Sequence, residues 1–191
     1  GLVSKQLTPQ QKVISLNGWL KVAASVTILV AFTFIFYKSQ EVTVHVANGE
    51  LRNIKLPDQS SIRLNAQSSL SFNKLLWNFD RTVDFEGEGF FQVTKGSKFS
   101  IYSKAGSTHV LGTSFNIYAR QNEYKVSCAT GKVQVAFKDQ NLILTPGLEA
   151  SNVQLEAAPI PFETARTLAW QRGEFYFESV SLQKVFASIE R

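Results

Sequence analysis

The feature that most constrains this chain is one uninterrupted apolar run, Val22 to Tyr37, reading VAASVTILVAFTFIFY. With Trp19 and Leu20 ahead of it the segment is about nineteen residues long, and as a helix it spans roughly 28 Å, close to a bilayer's hydrocarbon thickness. Its Val, Ile, Leu and Phe content favours insertion by roughly 3 to 5 kcal/mol. Lys21 stands one turn from the end, where its stem can snorkel, and Trp19 and Tyr37 occupy the positions of an aromatic belt. A signal peptide would be shorter and followed by a small-residue cleavage site. Here Lys38-Ser39-Gln40-Glu41 follows, so a retained transmembrane helix over residues 19–37 is predicted. A buried core helix would show a polar stripe; this run has only Ser25, Thr27 and Thr33.

Charge gives an expected orientation. Residues 1–40 hold Lys5, Lys12, Lys21 and Lys38 and no acid, which leaves the rest of a chain of net charge +5 nearly neutral. By the positive-inside rule the N-terminus is expected in the cytoplasm and everything after Lys38 outside it. Basic charge gathered beside a membrane segment argues against direct nucleic-acid binding, which needs a basic patch on the folded domain. The chain begins at Gly1 and contains no methionine, so it reads as part of a longer protein, residues 1–18 being the remnant of a cytoplasmic region. Thr8-Pro9-Gln10-Gln11 there resembles a helix capping box. The single cysteine, Cys128, alternates with Val126 and reads as a buried apolar position.

From Glu41 to about residue 156 the apolar period is two. Val42, Val44 and Val46 open it; Ile62 and Leu64, Val83 and Phe85, Phe115 and Ile117, and Val133 and Val135 continue it. Pro57-Asp58 and Pro146-Gly147 punctuate it as turns. Many short strands without a fixed repeat predict a mainly β domain, jelly-roll-like, sandwich or solenoid-like. Ala157-Ala158-Pro159-Ile160-Pro161 begins an expected linker over residues 157–169. After it, Phe175 and Phe177 share one face of a predicted strand. Ser181 caps a predicted helix whose Leu182, Val185, Phe186 and Ile189 form a stripe. Residues 170–191 therefore read as the start of a small α+β module.

Residues that carry chemistry are sparse. Asp84, Glu86 and Glu88 share one strand face and read as a solvated row rather than a catalytic pair. His45 and His109 are isolated, without metal-ligand spacing. No nucleophile elbow, phosphate loop or dinucleotide fingerprint occurs, so no catalytic, cofactor or metal residues are assigned. The alternative of a membrane-tethered carbohydrate-binding or hydrolytic β-domain would need paired carboxylates in an aromatic groove.

Several stretches together resemble one family. Leu56-Pro57-Asp58 with Ile62-Arg63-Leu64-Asn65-Ala66 is similar to its LPDGS…LNA element. Arg81-Thr82-Val83 leading to Gly87-Glu88-Gly89-Phe90-Phe91-Gln92-Val93 is similar to R-x-V…GEAFF-x-V. Val110-Leu111-Gly112-Thr113-Ser114-Phe115-Asn116 resembles VLGT-x-FN, and Gly131-Lys132-Val133 and Pro146-Gly147 its later turns. Trp170, Gly173 and Phe177 resemble the start of its C-terminal module. The family is that of the FecR transmembrane sigma-factor regulators. Gln59 stands where a turn glycine is usual, Gly89 where alanine is, and Ser127-Cys128-Ala129-Thr130 where a hydrophobic and acidic pair is common.

The resemblance implies a single-pass inner-membrane signal relay without cofactor. Its cytoplasmic domain would bind an extracytoplasmic-function sigma factor. Its periplasmic jelly-roll domain, with a short secretin/TonB-type module, would receive the signalling domain of a TonB-dependent outer-membrane receptor. Among the matched residues, Pro57, Asp58, Asn65, Gly87, Glu88, Phe90, Phe91, Gly112, Thr113, Phe115, Gly131, Pro146 and Gly147 are expected to shape the β-domain. Trp170, Gly173 and Phe177 are expected to shape the C-terminal module. Glu174, Tyr176 and Glu178, on the free side of that module's strand, are the expected partner-binding residues.

Overall fold

The computed structural model describes residues 18–137, 140–153, 158–174, 176 and 182–189. Contacts divide the chain into a unit ending at Ser39 and a unit from Gln40 onward. The first contains helix α1, Gly18–Ser39, whose 22 residues include none that is buried. It is long and apolar enough to cross a membrane. The few hydroxyls in the apolar run are satisfied within the helix. Ser25 donates to the Val22 carbonyl (2.8 Å), Thr27 to that of Ala23 (2.9 Å) and Thr33 to that of Leu29 (2.8 Å). Hydrocarbon offers no alternative partner, so this back-bonding is what lets a Ser or Thr sit there cheaply.

The second unit is built from strands Glu41–His45 (β1), Arg52–Lys55 (β2), Ser61–Leu64 (β3), Ser69–Asn73 (β4), Arg81–Gln92 (β5), Phe99–Ser103 (β6) and Gly106–Val110 (β7). Ser114–Arg120 (β8), Glu123–Thr130 (β9), Val133–Phe137 (β10), Gln140–Leu144 (β11), Leu148–Ser151 (β12) and Ile160–Pro161 (β13) complete it. One sheet runs β1-β4-β5-β6-β7-β10-β11, the other β2-β3-β5-β8-β9-β12-β13. Every pairing is antiparallel except β5 with β6. Strand β5 belongs to both sheets. Its first residues, Arg81–Asp84, lie between β4 and β6; its last, Gly89–Gln92, lie between β3 and β8. The result is the mainly β, sandwich-like architecture that the period-two pattern predicts, a sheet curled around one core.

Inward positions of both sheets meet in that core. Val83, Phe91, Phe99, Phe115, Ile117 and Val126 are wholly buried. Phe91 stacks on Phe115 with ring centres 5.4 Å apart and meets Phe85 edge-on at 5.2 Å. Cys128 is buried among them, as its alternation with Val126 predicts. Trp77, in the loop between β4 and β5, closes one end of the core edge-on to Phe72 (5.2 Å) and Phe99 (5.7 Å).

Turn chemistry matches the sequence at two corners. Leu148 N donates to the Thr145 carbonyl (3.1 Å) and Gly147 has φ 84°, a type II turn with proline first and glycine second. At the β2–β3 corner Ser60 N donates to Asp58 Oδ1 (3.1 Å), and Gln59 sits at φ 69°. A non-glycine residue there is strained. Gln59→Gly is therefore expected to stabilise the domain by about 0.5 to 1 kcal/mol, read as a higher urea midpoint at unchanged slope.

The stretch expected as a linker carries structure. Ile160 and Pro161 pair with Glu149 and Leu148, and Phe162 N donates to the Gly147 carbonyl (3.0 Å). Proline suits this outermost strand because its missing N–H faces no neighbour. A short helix, Thr164–Thr167 (α2), a 3-10 turn, Ala169–Arg172, and a helix Leu182–Ile189 (α3) follow. Helix α3 lies within the predicted helix, with Leu182 and Phe186 exposed. Phe175, Phe177, Glu178, Ser181 and the Thr8 capping box lie outside the described residues.

Candidate interaction surface

The acidic row of β5 is not the solvated row expected from sequence. Asp84 is exposed, Glu86 accepts the Lys104 N–H (3.1 Å), and Glu88 is drawn into a polar cluster. Asn65 Nδ2 donates to Glu88 Oε2 (2.9 Å) and Asn116 Nδ2 to Glu88 Oε1 (3.4 Å). Burial pushes the Glu88 carboxyl above its ordinary range, against the pull of the two amides and the charges of Arg120 and Lys125. Glu86 and Glu88 thus go to different partners and Asp84 faces solvent, so the three do not share one cleft. Among the described residues no group of His, Cys, Asp and Glu is placed to hold a metal ion. His109 Nδ1 lies 3.1 Å from Ser100 Oγ, and burial, then the charge of Lys98, lowers its pKa.

Two motifs that lie far apart in the chain meet at Asp58 and Arg81. Arg81 occupies an inward position of β5 and is almost wholly buried. Its guanidinium donates from Nε to Asp58 Oδ2 (2.8 Å), from Nη1 to the Ser97 carbonyl (2.7 Å) and from Nη2 to that of Thr94 (2.9 Å). Nη2 also ion-pairs with Asp58, and the guanidinium lies over the Phe99 ring at 5.3 Å. Burial raises the Asp58 pKa, but the hydrogen bonds from Ser60 and Arg81 and the guanidinium charge outweigh it, leaving the carboxyl below its ordinary value. The sequence showed Asp58 only as a turn residue. A charge alternating inward with Val83 and Phe85 was the available signal, since such a residue needs an acid beside it.

The second constellation lies on the outer face of the β3-β5-β8-β9-β12 sheet. Register sets Arg63, Phe90, Asn116, Ser127 and Glu149 in one row across it. Asn116 and Ser127 are buried there although they point away from the core, and Trp170 of the 3-10 turn lies on Asn116. Trp170 Nε1 donates to Asn116 Oδ1 (3.3 Å), and Ala169 and Trp170 are both buried. Ser127 Oγ donates to Glu149 Oε2 (2.8 Å). A polar chain thus runs Trp170–Asn116–Glu88–Asn65. Trp170, read from sequence as part of the C-terminal module, is docked on the β-domain. Trp170→Ala should remove this anchor, lowering stability by about 2 kcal/mol. It should also speed hydrogen exchange at the Glu174 N–H, which now donates to the Ala169 carbonyl (3.2 Å).

The remaining matched residues are spread through the fold. Thr113 Oγ1 donates to the Lys132 carbonyl (3.0 Å), beside Gly131, whose φ is 75°. Gly112 passes so close to Lys95 that a Cβ would stand 2.7 Å from its Cα. Pro57 is exposed and Phe90 half-buried. Gly173 ends the 3-10 turn at φ 74°. Of the expected partner-binding residues, Glu174 is exposed and bonded to Arg172 (2.6 Å), and Tyr176 is exposed.

The family described as FecR protein matches residues 42–134, from the second residue of β1 into β10. Residues 42–134 are a FecR domain. Two crystal structures described as a "putative anti-sigma factor" from Parabacteroides distasonis ATCC 8503 resemble the chain, each at 29% identity, with TM-scores of 0.72 and 0.71. The likeness covers 79% and 78% of this chain and 74% of each of those chains. That is more than the matched range, so it takes in elements outside the FecR domain. No curated protein sequence matches the chain.

Proposed function

We propose that this chain is a single-pass inner-membrane regulator of the anti-sigma type. The observation that carries the reading is a FecR domain directly following a helix of 22 residues that is long and apolar enough to span a bilayer. The likeness to the Parabacteroides protein supports it. In this reading residues 1–18 are cytoplasmic, 19–37 cross the membrane, and the β-domain of residues 41–156 is periplasmic. The lysines ahead of the helix supply the motive for that orientation. The sigma factor, of the extracytoplasmic-function class, engages the cytoplasmic side. Residues 157–169 lead to a module beginning at 170, which receives the signalling domain of a TonB-dependent receptor. No catalytic step is assigned.

The test is a reporter driven by the sigma factor encoded beside this gene. Deleting the gene should change reporter output, and the protein should co-purify with that sigma factor from membranes. No change in output and no co-purification would remove the reading. An alkaline phosphatase fusion after Arg191 should be active; an inactive one would reverse the orientation. Tyr176→Ala should weaken binding of the receptor's signalling domain about tenfold in calorimetric titration, since exposed tyrosines are frequent anchors. Unchanged affinity would move the interface elsewhere.

A further inference from the structure

One end of the β-domain differs from the other in a way its fold does not require. The loop between β4 and β5 begins where Lys74 N donates to the Gln40 carbonyl (3.0 Å), and Gln40 is the residue after α1 ends. The loop is rigid. Asn73 Oδ1 accepts from Leu75 N (3.0 Å) and Leu76 N (3.2 Å), Phe79 N and Asp80 N both donate to the Leu76 carbonyl (2.8 Å), and buried Trp77 pins it to the core. From this base Phe79 projects with 90% of its surface exposed and Leu75 with 47%. The same end gathers the turns beyond β5 and β7. Arg81 lies beside Phe99, which lies beside Val110, and Gly96 N donates to the Leu111 carbonyl (2.8 Å). Leu111 is 62% exposed, and Lys74, Lys95 and Lys98 are exposed around it. The acids at this end are Glu41, Asp58 and Asp80; Asp58 is neutralised by Arg81, and Asp80 is bonded to Thr82. The opposite end, at the turns after β1 and β8, instead mixes Glu50 and Glu123 with Arg52 and Arg120.

Rigid apolar tips ringed by lysines are the pattern of an interfacial membrane contact, in which apolar side chains enter the headgroup boundary and cations meet anionic lipid. We propose that this end of the β-domain docks on the surface of the bilayer that holds α1. Leu75, Phe79 and Leu111 enter the headgroup–acyl boundary there, and Lys74, Lys95 and Lys98 bind anionic phospholipid headgroups. The inference rests on reading α1 as a membrane span, and chain continuity supplies the occupant. Gln40 keeps the loop beside the residue where the chain leaves α1, whichever side of the membrane the domain occupies. Because the loop's backbone is already fixed, little ordering opposes its insertion.

The test uses the full chain, with Cys128→Ala, in phosphatidylethanolamine–phosphatidylglycerol vesicles. Single cysteines replace Asn78, Glu50 or Val30, and each carries an environment-sensitive fluorophore. Lipids spin-labelled near the headgroup should quench the label at 78 several-fold more than the label at 50. Phe79→Ser should abolish that excess, and Lys95→Glu with Lys98→Glu, or replacement of the anionic lipid by phosphatidylcholine, should reduce it. Equal quenching at 78 and 50, with the label at 30 quenched by lipids spin-labelled deep in the acyl chain, would overturn the docking proposal. Loss of deep quenching at 30 would instead overturn the membrane span on which it rests.

Discussion

Asp58→Ala is expected to lower the unfolding free energy of the unit from Gln40 onward by about 3 to 5 kcal/mol, because it strands a buried guanidinium without its counter-ion. Arg81 keeps its donations to the Thr94 and Ser97 carbonyls, but those carry no charge to balance it. Adding Arg81→Met should recover part of the loss, since an apolar side chain of similar length in that position no longer needs a partner. The acid dependence is signed. The folded pKa of Asp58 lies below its ordinary 3.8, so its stabilising contribution is complete above that value and is lost as the pH falls through the folded pKa. The parent should therefore lose stability on acidification below about pH 4 more steeply than the variant does. Glu88 runs the opposite way. Its folded pKa is raised above 4.5, so its ionisation draws stability down as the pH climbs from that value to the folded one. Urea titrations of parent and variant at a series of pH values separate the two, and a loss below about 1 kcal/mol at neutral pH would dismiss the Asp58–Arg81 pair as structurally important.

Gly87→Val should cost roughly 3 to 5 kcal/mol, from positive-φ strain together with overpacking. Gly87 has φ 120°, and a Cβ there would stand 2.6 Å from Ser68 Cα and 2.3 Å from Ser68 Oγ. Ser68 cannot step aside cheaply, because its hydroxyl accepts the Glu88 N–H (3.0 Å) and donates to the Glu88 carbonyl (3.1 Å). Gly147→Ala is the control: its φ is 84° but nothing lies within 4 Å of the added carbon, so only the backbone term remains, about 1 kcal/mol. Thermal unfolding followed by circular dichroism should show a far larger drop for Gly87→Val. Equal drops would mean that the close approach to Ser68 relaxes freely.

The local features were legible in sequence and the long-range ones were not. Period-two alternation found the strands, and Pro146-Gly147 its turn, because both are written in neighbouring residues. Gly87 and Gly112 stood out as matched motif positions, but the Ser68 and Lys95 backbones they approach come from elsewhere in the chain. Which strand lies beside which depends on register between residues far apart, and alternation is silent on that. Asp58 therefore read as a turn residue, although its carboxylate serves Arg81. Glu88 read as solvated because its alternation with Phe85 and Phe91 points it outward. The outer face is nonetheless covered where Trp170 lies on Asn116. The linker reading of residues 157–169 rested on Ala and Pro content, which cannot reveal that β12 offers an edge for Ile160 and Pro161 to pair with.

Strand β5 has a kinetic consequence. It supplies an interior strand to each sheet, so neither sheet can be finished while the other is absent, and the domain has no natural half-way state in which one sheet stands alone. Its neighbours arrive from both directions along the chain: β3 and β4 precede it, β6 and β8 follow it. β4 can pair with β5 across the short loop of residues 74–80, but β3 and β8 must close longer ones to reach its second half. That places folding in the slow range, about milliseconds to seconds, of non-local β-proteins. During that interval β5 leaves Val83, Phe85 and Phe91 uncovered on one face and its backbone unpaired along an edge, so a partner that shields it before β8 arrives would guard against misassociation.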